Sequence, residues 1–262
     1  MADTLMPKVG KYLFRSEPFH CDFSKHLLMA HLGNHLLNAA DFHSRDRGFG
    51  VSYLNTIQRT WVLSRLAVEM FEMPQIYDEF YVETWCEKAI HYFTSRNFAI
   101  TRKDGAVLGY GKSIWAMINT QTRQPADIFA VKDGLIQSFV ETERPCPIDK
   151  PSRVIVGDDA QLVRSVATYY NDVDLNGHIN SMKYVEHLLD LFDLSWYRTH
   201  RLKRFDIAYV AESHQGDELR FYSHEAAEGV FSIKAMKKSP GSEEEQETCR
   251  CQLIFERSRF TV

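Results

Sequence analysis

Asp174, Asn176 and His178 place a carboxylate, an amide and an imidazole within five residues, directly before a long apolar stretch. Polar side chains beside a buried element need a hydrogen-bond partner, a helix end to cap, or a bound molecule to act on. Helix capping explains Asp174 or Asn176, but hardly all three side chains. Carboxylates and imidazoles transfer protons, and amides orient water or polarise carbonyl groups. The spacing therefore predicts a functional site and not a surface loop.

Beyond His178, apolar residues recur at spacings of three and four, the pattern of one face of an α-helix. They are Ile179, Met182, Val185, Leu189, Phe192 and Trp196, and Leu188, Leu191 and Leu194 widen the face. A helix this apolar needs cover on more than one side, most simply from a sheet wrapped around it. Strand-like runs separated by turn-forming residues follow, at positions 205–210, 219–222, 230–233 and 251–255.

The first half of the chain repeats this order. Residues 22–27 match residues 174–179 in frame and open a second helical stretch, with an apolar face of Leu28, Leu32, Leu36 and Ala39. Asp78 matches Asp217, and strands are predicted at positions 61–71, 80–86, 93–101 and 107–119. The sequence thus predicts an α+β fold of two tandem units, each an antiparallel sheet around a central long helix. That architecture is the hotdog, and two copies make a double hotdog.

The chain length suits two such units of roughly 120 residues each. We expect an N-terminal unit over residues 1–125, a crossover over residues 126–159 and a C-terminal unit over residues 160–262. The crossover contains several prolines and a short amphipathic stretch at positions 133–141, so an ordered connection is predicted.

Charge and composition narrow the function classes. The net charge of −4 argues against a general nucleic-acid binder. No apolar run approaches membrane-spanning length, and residues 1–10 lack the long apolar core of a secretory signal, so we expect a cytoplasmic protein. Five cysteines, an odd number, fit reduced thiols in that compartment. The sequence does not predict an oligomeric state, and a homodimer is compatible with it.

No metal or cofactor is predicted. His31 and His35 have the i, i+4 spacing of metal ligands on a helix, but the glutamate of the zincin arrangement is absent. The sequence also contains no glycine-rich phosphate loop of the Walker or dinucleotide type.

With these residues in place, the chain resembles the acyl-acyl carrier protein (acyl-ACP) thioesterases, the family of plant plastid fatty acyl-ACP thioesterases and their bacterial relatives. The resemblance covers nearly the whole chain. It is carried by residues 48–50, 61–65, 83–86, 115–119 and 122–123 in the first half, and by residues 172–180, 183–184 and 209–212 in the second. It implies hydrolysis of the thioester that joins a fatty acid to the phosphopantetheine arm of the carrier, without a cofactor.

The resemblance places the catalytic set on Asp174, Asn176, His178 and Glu212. Glu212 with His178 would activate water, Asn176 would position the water or polarise the carbonyl, and Asp174 would orient its neighbours. The sequence leaves open whether Glu212 or His178 accepts the proton. Since Glu212 follows a predicted strand, the fold must bring it to the start of the helix.

Two features argue against a cysteine nucleophile. The plant enzymes carry a cysteine after the glutamate, and here that position is Ser213, so a thiolate mechanism there is impossible. Cys249 and Cys251 belong to a terminal strand and are predicted to be structural.

The two halves differ where the chemistry is expected. Asn176 aligns with Ser24 and Glu212 with Met73, while His26 keeps the imidazole. We therefore expect one active site, in the second unit, and a degenerate site in the first. Met73 and the apolar helix at positions 27–40 are predicted to line a pocket for the acyl chain.

Three other functions remain open. Acyl-CoA hydrolysis would use the same chemistry, because the thioester and the pantetheine arm are shared and only the distal group differs. A non-catalytic hotdog that binds acyl carriers is less favoured, because the second half keeps all four polar residues. A hotdog dehydratase also uses a histidine and a carboxylate, but the whole-chain resemblance points away from it.

A cluster of cations follows the second helix. The basic segment, residues 198–204, contains Arg198, Arg201, Lys203 and Arg204, four fixed positive charges in seven residues. One interpretation is favourable placement of cations at a helix C-terminus followed by a solvated turn. The other is a docking patch for the acidic surface of acyl carrier protein.

Overall fold

The computed structural model describes residues 6–258. Their strands are β1 (Val9–Arg15), β2 (Arg59–Met70), β3 (Glu79–Ile90), β4 (Phe93–Arg102), β5 (Val107–Asn119), β6 (Gln161–Ala167), β7 (His200–Tyr209), β8 (Glu218–Ala227), β9 (Val230–Lys238) and β10 (Glu245–Arg257). Their α-helices are α1 (Met29–Asp46), α2 (Val51–Thr56), α3 (Ser181–Leu189) and α4 (Leu194–Thr199). Short 3₁₀ helices span Pro18–His20, Lys132–Phe139 and Tyr170–Asp172. The fold is α+β, with antiparallel sheet and few helices.

The chain divides into two compact units. The first contains the described residues up to Leu66 together with Phe71–Lys150, and the second contains Ala67–Met70 together with the described residues from Pro151 onward. None of the helices within residues 6–258 is long and apolar enough to cross a membrane.

In the first unit, the strand order is β1-β3-β4-β5-β2, and α1 packs against β1 and β3. Leu32, Leu36 and Ala39 are completely buried because they share one face of α1. Val82 lies opposite Ile100 in the β3–β4 register, and both are completely buried. A periodicity of 3.6 on the helix and of two on the strands thus places the apolar residues on facing surfaces.

Residues of the predicted crossover pack within the first unit. Ile128, Val131, Ile136 and Phe139 form a buried cluster with Phe49, Leu54, Met117 and Ala126. The predicted amphipathic stretch at positions 133–141 is a 3₁₀ helix, Lys132–Phe139, with a kink at Asp133 and Gly134, which both have positive φ.

In the second unit, the strand order is β7-β10-β9-β8-β6, and the neighbouring strands are antiparallel. Met182, Val185 and Leu188 form the buried face of α3. This face is the one that the apolar spacing after His178 predicts.

The helix after His178 is shorter than predicted. The apolar pattern extends to Trp196, but α3 ends at Leu189 and a separate helix, α4, follows. The carboxylate of Asp193 accepts a hydrogen bond from the backbone N–H of Trp196 at 2.9 Å, which starts α4 as an N-cap. Phe192 lies in the connecting turn, where its ring packs 4.8 Å from the rings of Phe231 and Phe255. Periodicity therefore identified packed side chains such as Phe192 but missed the break between two helices. Leu194, which was predicted to widen the apolar face, is 61% exposed.

The first helix also differs at its start. Leu28 is the N-cap of α1 and is 40% exposed, so it does not belong to the buried face predicted for it. The eight predicted strands are present, and most extend further than predicted because pairing continues beyond the apolar runs.

Candidate active site

Asp174 organises the turn that carries the predicted site residues. Its Oδ1 accepts hydrogen bonds from the backbone N–H of Asn176 at 2.8 Å and of His178 at 3.3 Å. The backbone N–H of Asp174 donates to the carbonyl of His178 at 2.8 Å and closes the turn. Gly177 has a φ of 82°, a conformation that glycine adopts without strain. The Asp174 carboxylate therefore fixes the backbone from which Asn176 and His178 project.

Glu212 lies in the connection between β7 and β8 and is tied to this turn through its neighbours. The carbonyl of Ser213 accepts a hydrogen bond from the backbone N–H of Ile179 at 2.8 Å, directly after His178. The backbone N–H groups of Val210 and Ala211 both donate to the carbonyl of Thr248, at 2.8 and 3.2 Å. The first bond ties the Glu212 segment to the start of α3, and the other two tie it to β10.

As a result, Nε2 of His178 lies 3.4 Å from Oε2 of Glu212. The two side chains are 25% and 37% exposed, so both can meet a molecule from solvent. A carboxylate next to an imidazole is an arrangement that can take a proton from water and pass it on. Asn176 lies in the same turn and is exposed, so its amide is accessible to a bound molecule.

Ser213 does not share this accessibility. It is completely buried, and its hydroxyl accepts a hydrogen bond from the Tyr184 hydroxyl at 2.8 Å. A buried hydroxyl without an adjacent base is unsuited to attack a substrate carbonyl.

Cys249 and Cys251 are equally unsuited to nucleophilic chemistry. All five cysteines are free, and Cys249 and Cys251 lie completely buried in β10. Burial raises the pKa of the Cys249 thiol to about 12 and that of Cys251 well above its ordinary value. Both thiols therefore stay neutral at physiological pH.

Two residues near Glu212 were missed by the sequence analysis. The exposed ring of His214 packs edge-on against His178, with a centroid separation of 5.1 Å. Its position two residues after Glu212 was the available signal. Nζ of Lys237, in β9, donates a hydrogen bond to the backbone carbonyl of Glu212 at 2.6 Å. No local sequence signal marks Lys237, because only the pairing of β9 brings it near Glu212.

The first unit forms the same turn with different side chains. Oδ1 of Asp22 accepts hydrogen bonds from the backbone N–H of Ser24 at 2.8 Å and of His26 at 3.2 Å. The backbone N–H of Leu27 donates to the carbonyl of Pro74 at 2.9 Å, as that of Ile179 does to Ser213 in the second unit. Met73, which precedes Pro74, therefore occupies the position that Glu212 has in the second unit.

The cations of the basic segment are less accessible to a partner than the sequence suggests. Arg204 is only 8% exposed, and its guanidinium donates to both carboxylate oxygens of Asp206, at 2.7 and 3.0 Å. The inclusion of Arg204 in a docking patch is therefore wrong, because a buried, paired guanidinium cannot meet a partner. Arg201 and Lys203 both pair with Glu256, and Arg198 is exposed on α4.

Comparison with known proteins places this geometry in context. Residues 11–135 match the family described as the Acyl-ACP thioesterase N-terminal domain, and residues 157–259 match the Acyl-ACP thioesterase C-terminal domain. The crystal structure of an acyl-ACP thioesterase from Bacteroides thetaiotaomicron superposes with a TM-score of 0.86 at 49% identity, covering 95% of this chain and 98% of that chain.

More distant relatives include plant proteins. The 12:0-ACP thioesterase from Umbellularia californica superposes with a TM-score of 0.81 at 20% identity, covering 97% of this chain and all of that chain, and so shares the fold. The chloroplastic palmitoyl-acyl carrier protein thioesterase of Gossypium hirsutum is 25% identical over 191 residues, which cover 69% of this chain and 46% of that protein. The chain spans about half the length of the curated relatives that it matches. With both domains matched in order along one chain, the protein belongs to the acyl-ACP thioesterase family.

Proposed function

We propose that this chain hydrolyses the thioester of fatty acyl-ACP and releases a free fatty acid and the carrier with a free thiol. The observation that carries the proposal is the 3.4 Å approach of His178 Nε2 to Glu212 Oε2 on a turn built by Asp174. Membership of the acyl-ACP thioesterase family supports the substrate class.

The chemistry follows from the residue types. A water oxygen attacks the thioester carbonyl carbon while the Glu212–His178 pair takes the proton that the water loses. The exposed amide of Asn176 positions this water or donates to the carbonyl oxygen, where negative charge develops. The C–S bond then breaks, and the proton held by the pair neutralises the leaving thiolate. Asp174 acts through the turn, by holding Asn176 and His178 in place.

We also assign each unit a hotdog architecture, so that the chain is a double hotdog with unequal halves. The second unit keeps the carboxylate and the amide, while the first has Met73 and Ser24 at those positions. A flexible thioether and the buried apolar face of α1 suit an alkyl chain better than they suit proton transfer. The first unit therefore supplies the acyl pocket, and the chain has one active site.

A product assay tests the substrate class. The chain is incubated with acyl-ACP of several chain lengths and with the matching acyl-CoAs, and both free thiol and free fatty acid are measured. The proposal expects equimolar release of both products, with a higher kcat/KM for acyl-ACP than for acyl-CoA. A higher kcat/KM for acyl-CoA would show that acyl-CoA is the preferred substrate. Binding of acyl-ACP without release of thiol and fatty acid would indicate a non-catalytic acyl-carrier-binding protein.

A further inference from the structure

The segment that carries Glu212 has no regular secondary structure. It runs from Val210 to Asp217, between the end of β7 and the start of β8. A carboxylate on such a segment keeps its place only if contacts outside the strands hold the backbone. The alignment of the Glu212–His178 pair matters, since a displacement of about 1 Å can cost on the order of a hundredfold in rate.

One such contact comes from Lys237. Its ammonium group donates a charge-assisted hydrogen bond of 2.6 Å to the carbonyl of Glu212 itself. Lys237 is half-buried in β9, where it pairs with Leu219 of β8 and with Gln246 of β10. A residue anchored by strands on both sides is a rigid support for the irregular segment.

The second contact is made to Ser213, the residue after Glu212. The hydroxyl of Tyr184 donates to Oγ of Ser213 at 2.8 Å, and both residues are buried. Burial raises the pKa of Tyr184 well above its ordinary value, so the hydroxyl remains a donor. Tyr184 lies on α3, the helix that begins just after the turn of His178. This hydrogen bond therefore links α3, the helix that follows His178, to the segment that carries Glu212.

The first unit provides an internal comparison, because it forms the same turn but has Met73 at the position of Glu212. Leu32 and Pro74 occupy the positions of Tyr184 and Ser213, so the pair of hydroxyl groups is absent there. Strand register sets Arg102 opposite Phe80, as Lys237 lies opposite Leu219. Arg102 pairs instead with the carboxylate of Glu72. The side-chain contacts of Tyr184 and Lys237 thus accompany Glu212 and differ at the equivalent positions of the first unit, where Met73 replaces it.

We propose that Tyr184 and Lys237 are positioning residues that hold the Glu212 carboxylate against His178. Lys237 fixes the carbonyl of Glu212, and Tyr184 fixes the side chain of the next residue. Neither touches the reacting atoms, and both act through the backbone of residues 212–213. This assignment rests on the proposed function.

The first test uses Lys237→Met, which keeps most of the apolar stem and removes the ammonium group. We expect kcat on acyl-ACP to fall about tenfold, with KM changed less than twofold and the melting temperature close to that of the parent. Lys237→Arg should restore most of the lost kcat, because a guanidinium can also donate to the Glu212 carbonyl. Arg102→Met removes the register-equivalent cation of the first unit and should leave kcat unchanged.

The second test uses Tyr184→Phe, which removes one oxygen atom. We expect a severalfold loss of kcat at nearly constant KM. Tyr197→Phe is the matched control, since the Tyr197 hydroxyl donates to the carbonyl of Leu189 and not to the Glu212 segment. Loss of a hydroxyl there should leave kcat unchanged.

Coupling to the carboxylate distinguishes positioning from general damage. In a Glu212→Gln background, Lys237→Met and Tyr184→Phe should cause no further loss of kcat, because the group that they position is gone. Full activity of both single variants would overturn the proposal, and so would equal additional losses in the Glu212→Gln background. If Glu212→Gln alone were as active as the parent, the proposed function of Glu212 would fail, independently of the two positioning residues.

Discussion

Replacing Asp174 by alanine removes the acceptor of two backbone hydrogen bonds while leaving Asn176, His178 and Glu212 unchanged. The bond to the N–H of Asn176 is 2.8 Å long and the bond to the N–H of His178 is 3.3 Å. Loss of a side-chain acceptor of this type costs about 0.5–2 kcal/mol, and the longer bond adds little. We therefore expect Asp174→Ala to destabilise the folded form of the turn by about 1.5 kcal/mol.

If the turn spends correspondingly less time in its folded form, kcat on acyl-ACP should fall about tenfold, since 1.4 kcal/mol corresponds to a factor of ten. Asp174→Asn keeps one carbonyl oxygen as acceptor and should lose severalfold less than Asp174→Ala. Steady-state kinetics of both variants at saturating acyl-ACP, with thermal melting in parallel, measure the effect.

Asp22→Ala is the matched control, because Asp22 accepts the same two backbone hydrogen bonds in the first unit, at 2.8 and 3.2 Å. It should cost a similar amount of stability and leave kcat within about twofold of the parent. Equal losses of kcat in Asp22→Ala and Asp174→Ala would refute the reasoning, because they would show that the turns act only through stability.

Three further predictions concern the acyl chain, the carrier and pH. Enlarging Met73 to phenylalanine should shift the products to shorter chains, because each methylene that is no longer buried loses roughly 0.8 kcal/mol of binding free energy. An unchanged product profile would show that Met73 does not line the acyl pocket. If the basic segment docks acyl carrier protein, charge reversal at Arg198, Arg201 and Lys203 should raise KM for acyl-ACP, most at low salt, and should leave hydrolysis of a short acyl-pantetheine unchanged. Equal losses on both substrates would indicate structural damage, and no loss on either would argue against docking there. Because burial lowers the pKa of His43 to about 2, the unfolded chain binds the extra proton below the ordinary value of 6.5. The free energy of unfolding should therefore fall as pH drops from 6.5 towards 2. Denaturant titrations at several pH values should show that the free energy of unfolding depends less steeply on pH in His43→Gln than in the parent. An identical slope in that variant would contradict the assignment.

The sequence predicted elements whose signals are local. The spacing of apolar residues placed most of the buried faces of α1 and α3, and the runs of β-formers placed the strands. The break after Leu189 was missed although Asp193 is a good N-cap residue, because the apolar pattern continues through it. The pairing of Arg204 could also have been predicted from the sequence, since Asp206 lies two residues later on the same face of the strand.

The candidate site was predictable only in part. Asp174, Asn176 and His178 are neighbours in the chain, so their types and spacing were enough to mark them. Glu212 lies far away in sequence, and only the family resemblance connected it to His178. The role of Lys237 could not be predicted from the sequence, because its contact with the Glu212 carbonyl depends on the register of β9 against β8.

The central claim is that the Glu212–His178 pair activates water for thioester hydrolysis. The most direct test is the turnover of acyl-ACP by Glu212→Gln, which nearly preserves the shape of the side chain and removes its basicity. Free thiol and fatty acid are both measured, and His26→Ala in the first unit serves as the control. The account predicts that Glu212→Gln lowers kcat by about a hundredfold or more while the protein melts near the parent temperature, and that His26→Ala stays near parent activity. Near-parent hydrolysis by Glu212→Gln would contradict it.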